Sequence, residues 1–105
     1  MSEILRRVQT LVNSHAIRVS RHGLRELAAD DIDLADVLAG IAAATMVEEY
    51  PTNRMEPSVL ILQRDRIGPI HVMWGVPKAT GTPAVLVTAY RPDPERWSAD
   101  FTRRK

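Results

Sequence analysis

Two histidines are the side chains of this sequence best suited to moving protons, and they stand beside groups suited to holding phosphate. His22 lies in Ser20-Arg21-His22, and His71 lies in Pro69-Ile70-His71-Val72. The third block is Thr88-Ala89-Tyr90-Arg91-Pro92-Asp93-Pro94-Glu95-Arg96-Trp97. Imidazole titrates near neutral pH and serves as acid or base, while guanidinium and aromatic groups take phosphates and unstacked bases. On a helix His22 shares a face with Arg25 and Glu26, so that Glu26 is a candidate orienting partner. Strand parity puts Ile70, Val72, Trp74 and Val76 on one face and His71 and Met73 on the other, where Leu86, Thr88 and Tyr90 of the next strand are within reach. Pro92 and Pro94 stop the last strand sharply, which leaves Tyr90 and Arg91 at a rigid strand end.

Each of these readings has a structural counterpart. A strand histidine is commonly a hydrogen-bonded core residue, a surface His/Glu pair is commonly inert, and Tyr90 with Arg91 equally suits a plug over the core. Arg91, Arg96, Arg103, Arg104 and Lys105, interleaved with Tyr90, Trp97 and Phe101, form the candidate RNA contact; Asp93, Glu95 and Asp100 dilute its charge.

The elements that must position these groups follow from periodicity. Ile4, Leu5, Val8, Leu11 and Val12 recur at helical spacing. Ile17 to Val19 is a short extended piece; Ser20 caps a second helix with a stripe of Leu24, Leu27 and Ala28, and Asp33 caps a third that buries Leu34, Val37, Leu38, Ile41 and Ala42. From Met46 the period becomes two, and strands are predicted at Met46 to Tyr50, Ser58 to Gln63, Ile70 to Val76 and Ala84 to Tyr90. The turns between them are Pro51 to Pro57, Asp65 to Pro69 and Pro77 to Pro83. The predicted fold is α+β, with N-terminal helices packed on one face of a four-stranded antiparallel sheet and Trp97 and Phe101 as candidate shields for the other.

With 105 residues the chain reads as one domain, 1–105, large enough to bury roughly 65% of its unfolded surface without a metal or disulfide. Residues 1–16 make the N-terminal helix, 17–97 the core, and 98–105 a flexible basic tail. A formal net charge of +1 provides no long-range field for a polyanion, so any nucleic-acid site must be local. The sequence has no cysteine, which removes thiolate chemistry and favours a cytoplasmic setting; Met1 to Asn13 mixes charges into its apolar positions and is neither signal peptide nor membrane anchor. There is no glycine-rich phosphate loop, no paired metal-ligand motif and no nucleophile elbow. His15, His22 and His71 lack metal-site spacing, so no metal and no cofactor is expected. Glu48-Glu49 reads as charge guarding a strand edge. The third helix offers no base-reading Arg, Asn or Gln along Leu34 to Ala43, which argues against a DNA-binding regulator.

Four blocks in order, Ile17-Arg18-Val19-Ser20-Arg21-His22, Val47-Glu48-Glu49-Tyr50-Pro51, Pro69-Ile70-His71-Val72 and Val87-Thr88-Ala89-Tyr90-Arg91-Pro92-Asp93, resemble the bacterial domain-of-unknown-function 4258 family, grouped with RelE-like and BrnT-like toxins. The resemblance covers Ile17 to Trp97 and implies a RelE/BrnT-like fold descended from RNA-cleaving toxins of toxin–antitoxin pairs. Carried over by position, the matching residues are His22, His71, Tyr90 and Arg91. Glu26 stands four residues after the helix histidine where the family pattern leads us to expect an arginine, and Asp30 and Asp31 replace a basic residue and a glycine, which makes that surface more acidic.

The function so implied is a toxin-like, metal-independent endoribonuclease. His22 and His71 would act as base and acid on the ribose 2′-hydroxyl and the leaving oxygen, Arg91 would stabilise the phosphorane, and Tyr90, Arg25, Arg96 and Trp97 would bind the substrate. The alternative is a non-catalytic protein-interaction module of the same fold. RNA, an antitoxin protein and a second copy of the chain are the candidate partners; a membrane is not.

Overall fold

A computed structural model describes residues 2–53 and 56–105; the predicted turn from Pro51 to Pro57 therefore lies partly outside the described residues, at Arg54 and Met55. The element order is α1 (Glu3–Asn13), β1 (Ile17–Val19), α2 (Arg21–Ala29), α3 (Leu34–Gly40), a 3₁₀ turn (Ile41–Ala43), β2 (Thr45–Tyr50), β3 (Ser58–Arg64), β4 (Pro69–Gly75) and β5 (Ala84–Tyr90). The fold is α+β, with three helices and a mixed five-stranded sheet ordered β1-β5-β4-β3-β2.

The four predicted strands pair antiparallel, but the sheet has a fifth member. The short piece Ile17–Val19 joins as β1, parallel to β5, with Ile17 opposite Ala84 and Val19 opposite Leu86. Three residues, Ile17-Arg18-Val19, are too short a piece to announce a strand; they are recruited because β5 would otherwise leave its backbone groups unpaired at the sheet edge.

All three helices lie on one face. Leu5, Val8, Leu11 and Val12 of α1 pack with Val59, Ile61, Ile70, Val72, Trp74, Ala84 and Leu86 of the sheet and with Leu27, Val37 and Ile41. Each such side chain contributes about 2 kcal/mol by leaving water. Ser2, Ser20 and Asp33 cap the three helices, accepting from the amides of Leu5, Gly23 and Ala35. The ends of α1 and α2 share a second device: His15 (φ 61°) and Asp31 (φ 53°) are left-handed, and the amides of Ala16 and Ile32 reach back to the carbonyls of Leu11 and Leu27, both at 2.8 Å.

The predicted stripe of α2 needs correction. Leu27 is buried, but Leu24 is 55% exposed and Gly23 faces the sheet in its place. A side chain at position 23 would come within 2.7 Å of the Leu86 carbonyl. The helix thus docks backbone to backbone, and this rotation carries Leu24 outward. It docks where β5 is irregular: Met73 pairs with Thr88 but Trp74 pairs with Leu86, so Val87 is an extra residue. The Ser20 hydroxyl donates to the freed Val87 carbonyl (3.1 Å), and the Ser20 amide to Leu86 (3.0 Å). The Ser20-Arg21-His22 block thereby joins helix to bulge.

Residues 98–105 differ from the flexible tail expected of them. Trp97 and Arg104 form an isolated antiparallel bridge, the Ser98 amide donates to Arg103 (2.8 Å) and the Lys105 amide to Arg96 (2.9 Å). The Asp100 carboxylate accepts from the Ser98 hydroxyl, the Thr102 amide and the Thr102 hydroxyl; these bonds bring its pKa down to about 2. The basic residues gave no hint of closure, which comes from the Ser-x-Asp-x-Thr pattern between them.

Candidate functional site

A cavity of about 340 Å³ at the end of β5 is lined by Tyr90, Arg91, Asp93, Arg96, Trp97 and Arg104. Four of the predicted site residues, Tyr90, Arg91, Arg96 and Trp97, thus meet there. After Pro92 the chain turns on Asp93, whose carboxylate accepts from the Glu95 amide (2.9 Å) and whose carbonyl accepts from Arg96 (2.9 Å) and Trp97 (3.1 Å). This turn throws Trp97 back under the sheet, where it is 4% exposed. Its ring meets His71 edge to face at 4.4 Å between centroids and carries the Arg104 guanidinium at 4.7 Å. Trp97 is a wall of the cavity, without a free face for a base.

His71 lies behind that wall. As parity predicted, it faces away from the helices, together with Thr88 and Tyr90; Leu86, expected beside them, faces the core because the bulge at Val87 reverses the alternation. His71 is wholly inaccessible to solvent. Its Nε2 lies 2.8 Å from the Phe101 carbonyl and its Nδ1 3.1 Å from the Tyr90 hydroxyl. A carbonyl only accepts, which assigns the proton to Nε2 and makes Nδ1 the acceptor for Tyr90. Burial pushes the imidazole below its usual pKa; the Phe101 bond opposes this, Arg104 adds to it and Glu48 opposes it. Burial likewise raises the Tyr90 phenol. His71 is therefore neutral at pH 7 with both nitrogens occupied, and it has no lone pair or proton to offer a substrate.

His22 is not brought to it. Helix α2 docks through Gly23 and Leu27 on the opposite face, and the sheet lies between the two rings. The His22 Nε2 is 3.9 Å from Glu26 Oε1, with the side chains 57% and 38% exposed, too long for a hydrogen bond and typical of an inert surface pair. Arg25 is also an exposed residue of α2, outside the cavity lining. The predicted acid–base pair does not assemble because the helix approaches from the core side.

Arg91 does line the cavity, but its donors are spent elsewhere. Nη1 and Nη2 hold the two oxygens of Asp65 at 3.1 and 2.8 Å, Nε donates to the Asp30 carbonyl (3.1 Å) and Nη2 to the Asp31 carbonyl (3.1 Å), while the Arg91 amide donates to Asp30 Oδ2 (2.8 Å). Asp65 also accepts from the amides of Ile67 and Gly68. Its carboxyl is held well below the usual range, first by Arg91. The guanidinium binds the end of β5 to the β3–β4 turn and to the C-terminal carbonyls of α2, where a cation suits the helix dipole. Asp30, which looked like a loss of phosphate affinity, joins this clasp through its carboxylate and its carbonyl, and Asp31 through its carbonyl alone.

A second clasp lies across the cavity. Arg104 donates to Glu48 from Nε (2.8 Å) and Nη2 (3.0 Å), and the Tyr50 hydroxyl also donates to Glu48. These bonds, Arg104 first, lower the Glu48 pKa and raise that of Arg104. Glu49, paired with Glu48 in the sequence as edge charge, instead accepts from the Ser2 hydroxyl on the helix side. Asp65 and Glu48 are the site residues that sequence reasoning missed. Asp65 heads an Asp-x-x-Gly turn, which was legible; the pairing of Glu48 with Arg104, 56 positions away, was not. Among the described residues Arg96 has no ion-pair partner, and Arg96, Arg103 and Lys105 are exposed.

No described helix is long and apolar enough to cross a membrane, and no cluster of described residues is placed to hold a metal. No curated protein and no solved structure matches the chain. Residues 19–91 match a family described as Domain of unknown function (DUF4258).

Proposed function

The chain belongs to the DUF4258 family, and we propose that it is a non-catalytic member of the toxin-like grouping its sequence blocks resemble, one that engages single-stranded RNA by its phosphates. The contact surface is the exposed cationic edge made by Arg96, Arg103 and Lys105 beside the cavity at the end of β5. One observation carries this reading: Arg96, exposed and without an ion-pair partner among the described residues, lines the cavity, and backbone bonds set exposed Lys105 beside it and exposed Arg103 beside Ser98, while His71 and Arg91, which the endoribonuclease mechanism needs, have their polar atoms engaged within the fold. Because Trp97 offers no stacking face, the contact is one of charge, with little sequence preference and a strong dependence on salt.

Fluorescence anisotropy of a labelled single-stranded RNA over a series of salt concentrations tests this. With about three phosphates neutralised, log K should fall with log salt at a slope of about −2. Arg96→Ala with Arg103→Ala should weaken binding at least tenfold and flatten the slope, with the melting temperature unchanged. Binding absent at low salt, or indifferent to both substitutions, would overturn the reading.

A partner protein, whether an antitoxin or a second copy, is the second reading. It is favoured by the position of β2 as an outer strand of the sheet with Met46 40% exposed. Light scattering of eluted protein would show an oligomer that charge reversal along Met46 to Tyr50 abolishes.

A further inference from the structure

We propose that a hollow at the opposite end of the sheet from the RNA edge binds a small aliphatic α-amino acid as its zwitterion. The site shares no residue with the RNA reading and does not rest on it. It lies between the start of α1 and the turn that joins β4 to β5; Gly75 pairs with Val85 at this end, whereas His71 pairs with Tyr90 at the other. Its volume of about 270 Å³ falls below the roughly 300–1,000 Å³ of sites for drug-sized ligands, so the occupant is small.

Apolar groups make the floor. Val76 is 8% exposed and belongs to the core, Ile4 packs against that core, and Pro57 and Pro77 are half-buried beside them. The Val76 amide donates to the Pro57 carbonyl (3.0 Å) and the Gly81 amide to the Pro77 carbonyl (2.8 Å), so backbone bonds fix both prolines. The floor is formed before any ligand arrives, which lowers the cost of binding one.

The rim carries both signs of charge. Arg7 donates from Nε (3.2 Å) and Nη2 (2.9 Å) to the Gly81 carbonyl. Gly81 has φ 71°, which glycine takes without strain, so the guanidinium is anchored on a fixed turn. A carbonyl holds the group in place without neutralising it, and no described acceptor takes Nη1. Lys78 and Glu3 complete the rim. Among the described residues none of these three has an ion-pair partner, although Glu3 and Arg7 stand one turn apart on α1.

This arrangement selects the ligand. A plain carboxylate meets the Glu3 charge, and a plain amine meets two cations. An α-amino acid presents its carboxylate to Arg7 and Lys78 and its ammonium to Glu3 from one carbon, with its aliphatic side chain on the floor. It thereby supplies the pairing that Glu3 and Arg7 do not make with each other. The three rim side chains are exposed, so each charge contact is modest and the apolar side chain carries the larger share of the affinity. A residue inside a polypeptide lacks both charges and a terminal residue lacks one, which makes the free amino acid the preferred form.

The test titrates the whole chain, without RNA and at matched pH and salt, with L-leucine, isocaproate, leucinamide and glycine, and follows the Ile4 and Val76 methyl signals and the Gly81 amide by NMR. Leucine should move these signals and leave the Lys105 amide in place. Isocaproate, which has no ammonium, and leucinamide, which has no carboxylate, should each bind about fivefold more weakly. Glycine, which has no side chain, should bind about tenfold more weakly. Glu3→Gln should bring leucine down to the level of isocaproate, and Lys78→Gln should weaken leucine and isocaproate but not leucinamide; both side chains are exposed, so the melting temperature should hold. No shift at millimolar leucine, or glycine binding as well as leucine, would overturn the proposal. Isocaproate equal to leucine would replace it with a plain carboxylate site, and leucinamide equal to leucine with a peptide amino terminus; either result also overturns it. Failure of RNA binding leaves every one of these readouts untouched.

Discussion

Two arginine clasps flank the same cavity with nearly the same chemistry and opposite consequences. Arg91 grips Asp65, and Arg104 grips Glu48, each with two guanidinium nitrogens on two carboxylate oxygens. Asp65 is 1% exposed and Arg91 25%, whereas Glu48 is 28% exposed and Arg104 61%. Removing one half of the first pair strands a charge in a dry place; removing one half of the second returns a charge to water. The difference separates a buried joint, which fixes β5 to α2 and the β3–β4 turn, from an exposed one that ties residues 98–105 to β2.

The contrast is sharpest for Asp65→Ala. It should cost about 3 kcal/mol of stability, read as a melting temperature lower by at least 10 °C for a chain of this size. The same pair sets the acid limit. Asp65 has its carboxyl depressed by folding, so its stabilisation is complete above its unfolded pKa and is lost as pH falls from about 4. Denaturant melts at pH 6, 4 and 3 should show wild type losing stability steeply over that range and Asp65→Ala losing less. For the outer clasp, Glu48→Gln should cost no more than about 1 kcal/mol and lower the hydrogen-exchange protection of the Ser98 and Lys105 amides. Equal costs for the two substitutions would erase the distinction between the buried clasp and the exposed one. At the bottom of the scale, His22→Ala should change stability by less than about 0.5 kcal/mol and leave RNA affinity as it was.

How much of this was legible in the sequence depended on how local the cause was. The helices, their caps at Ser20 and Asp33 and the four longer strands follow from periodicity and short-range capping chemistry, and all are present. Parity placed His71 correctly on the face away from the helices. It misplaced Leu86, because one extra residue at Val87 inverts every later position on the strand and carries no sequence mark of its own. The stripe of α2 was misjudged for a related reason: Gly23 reads as a weak helix residue, and only the Leu86 carbonyl lying against it shows that the missing side chain is what lets the helix dock. Tyr90, Arg91, Arg96 and Trp97, close in sequence around the end of β5, line one cavity. The two imidazoles did not meet, since their meeting depended on which face of the sheet the helices chose.

As proposed, this fold binds RNA without cutting it. The direct test incubates a defined single-stranded RNA with saturating protein at low salt, in EDTA and in magnesium, and reads both its mobility and its length. A complete shift of the RNA into complex, with every strand recovered at full length, is the predicted result. Fragments ending in a cyclic phosphate that vanish with His71→Ala would contradict it and return the two-histidine mechanism to the molecule.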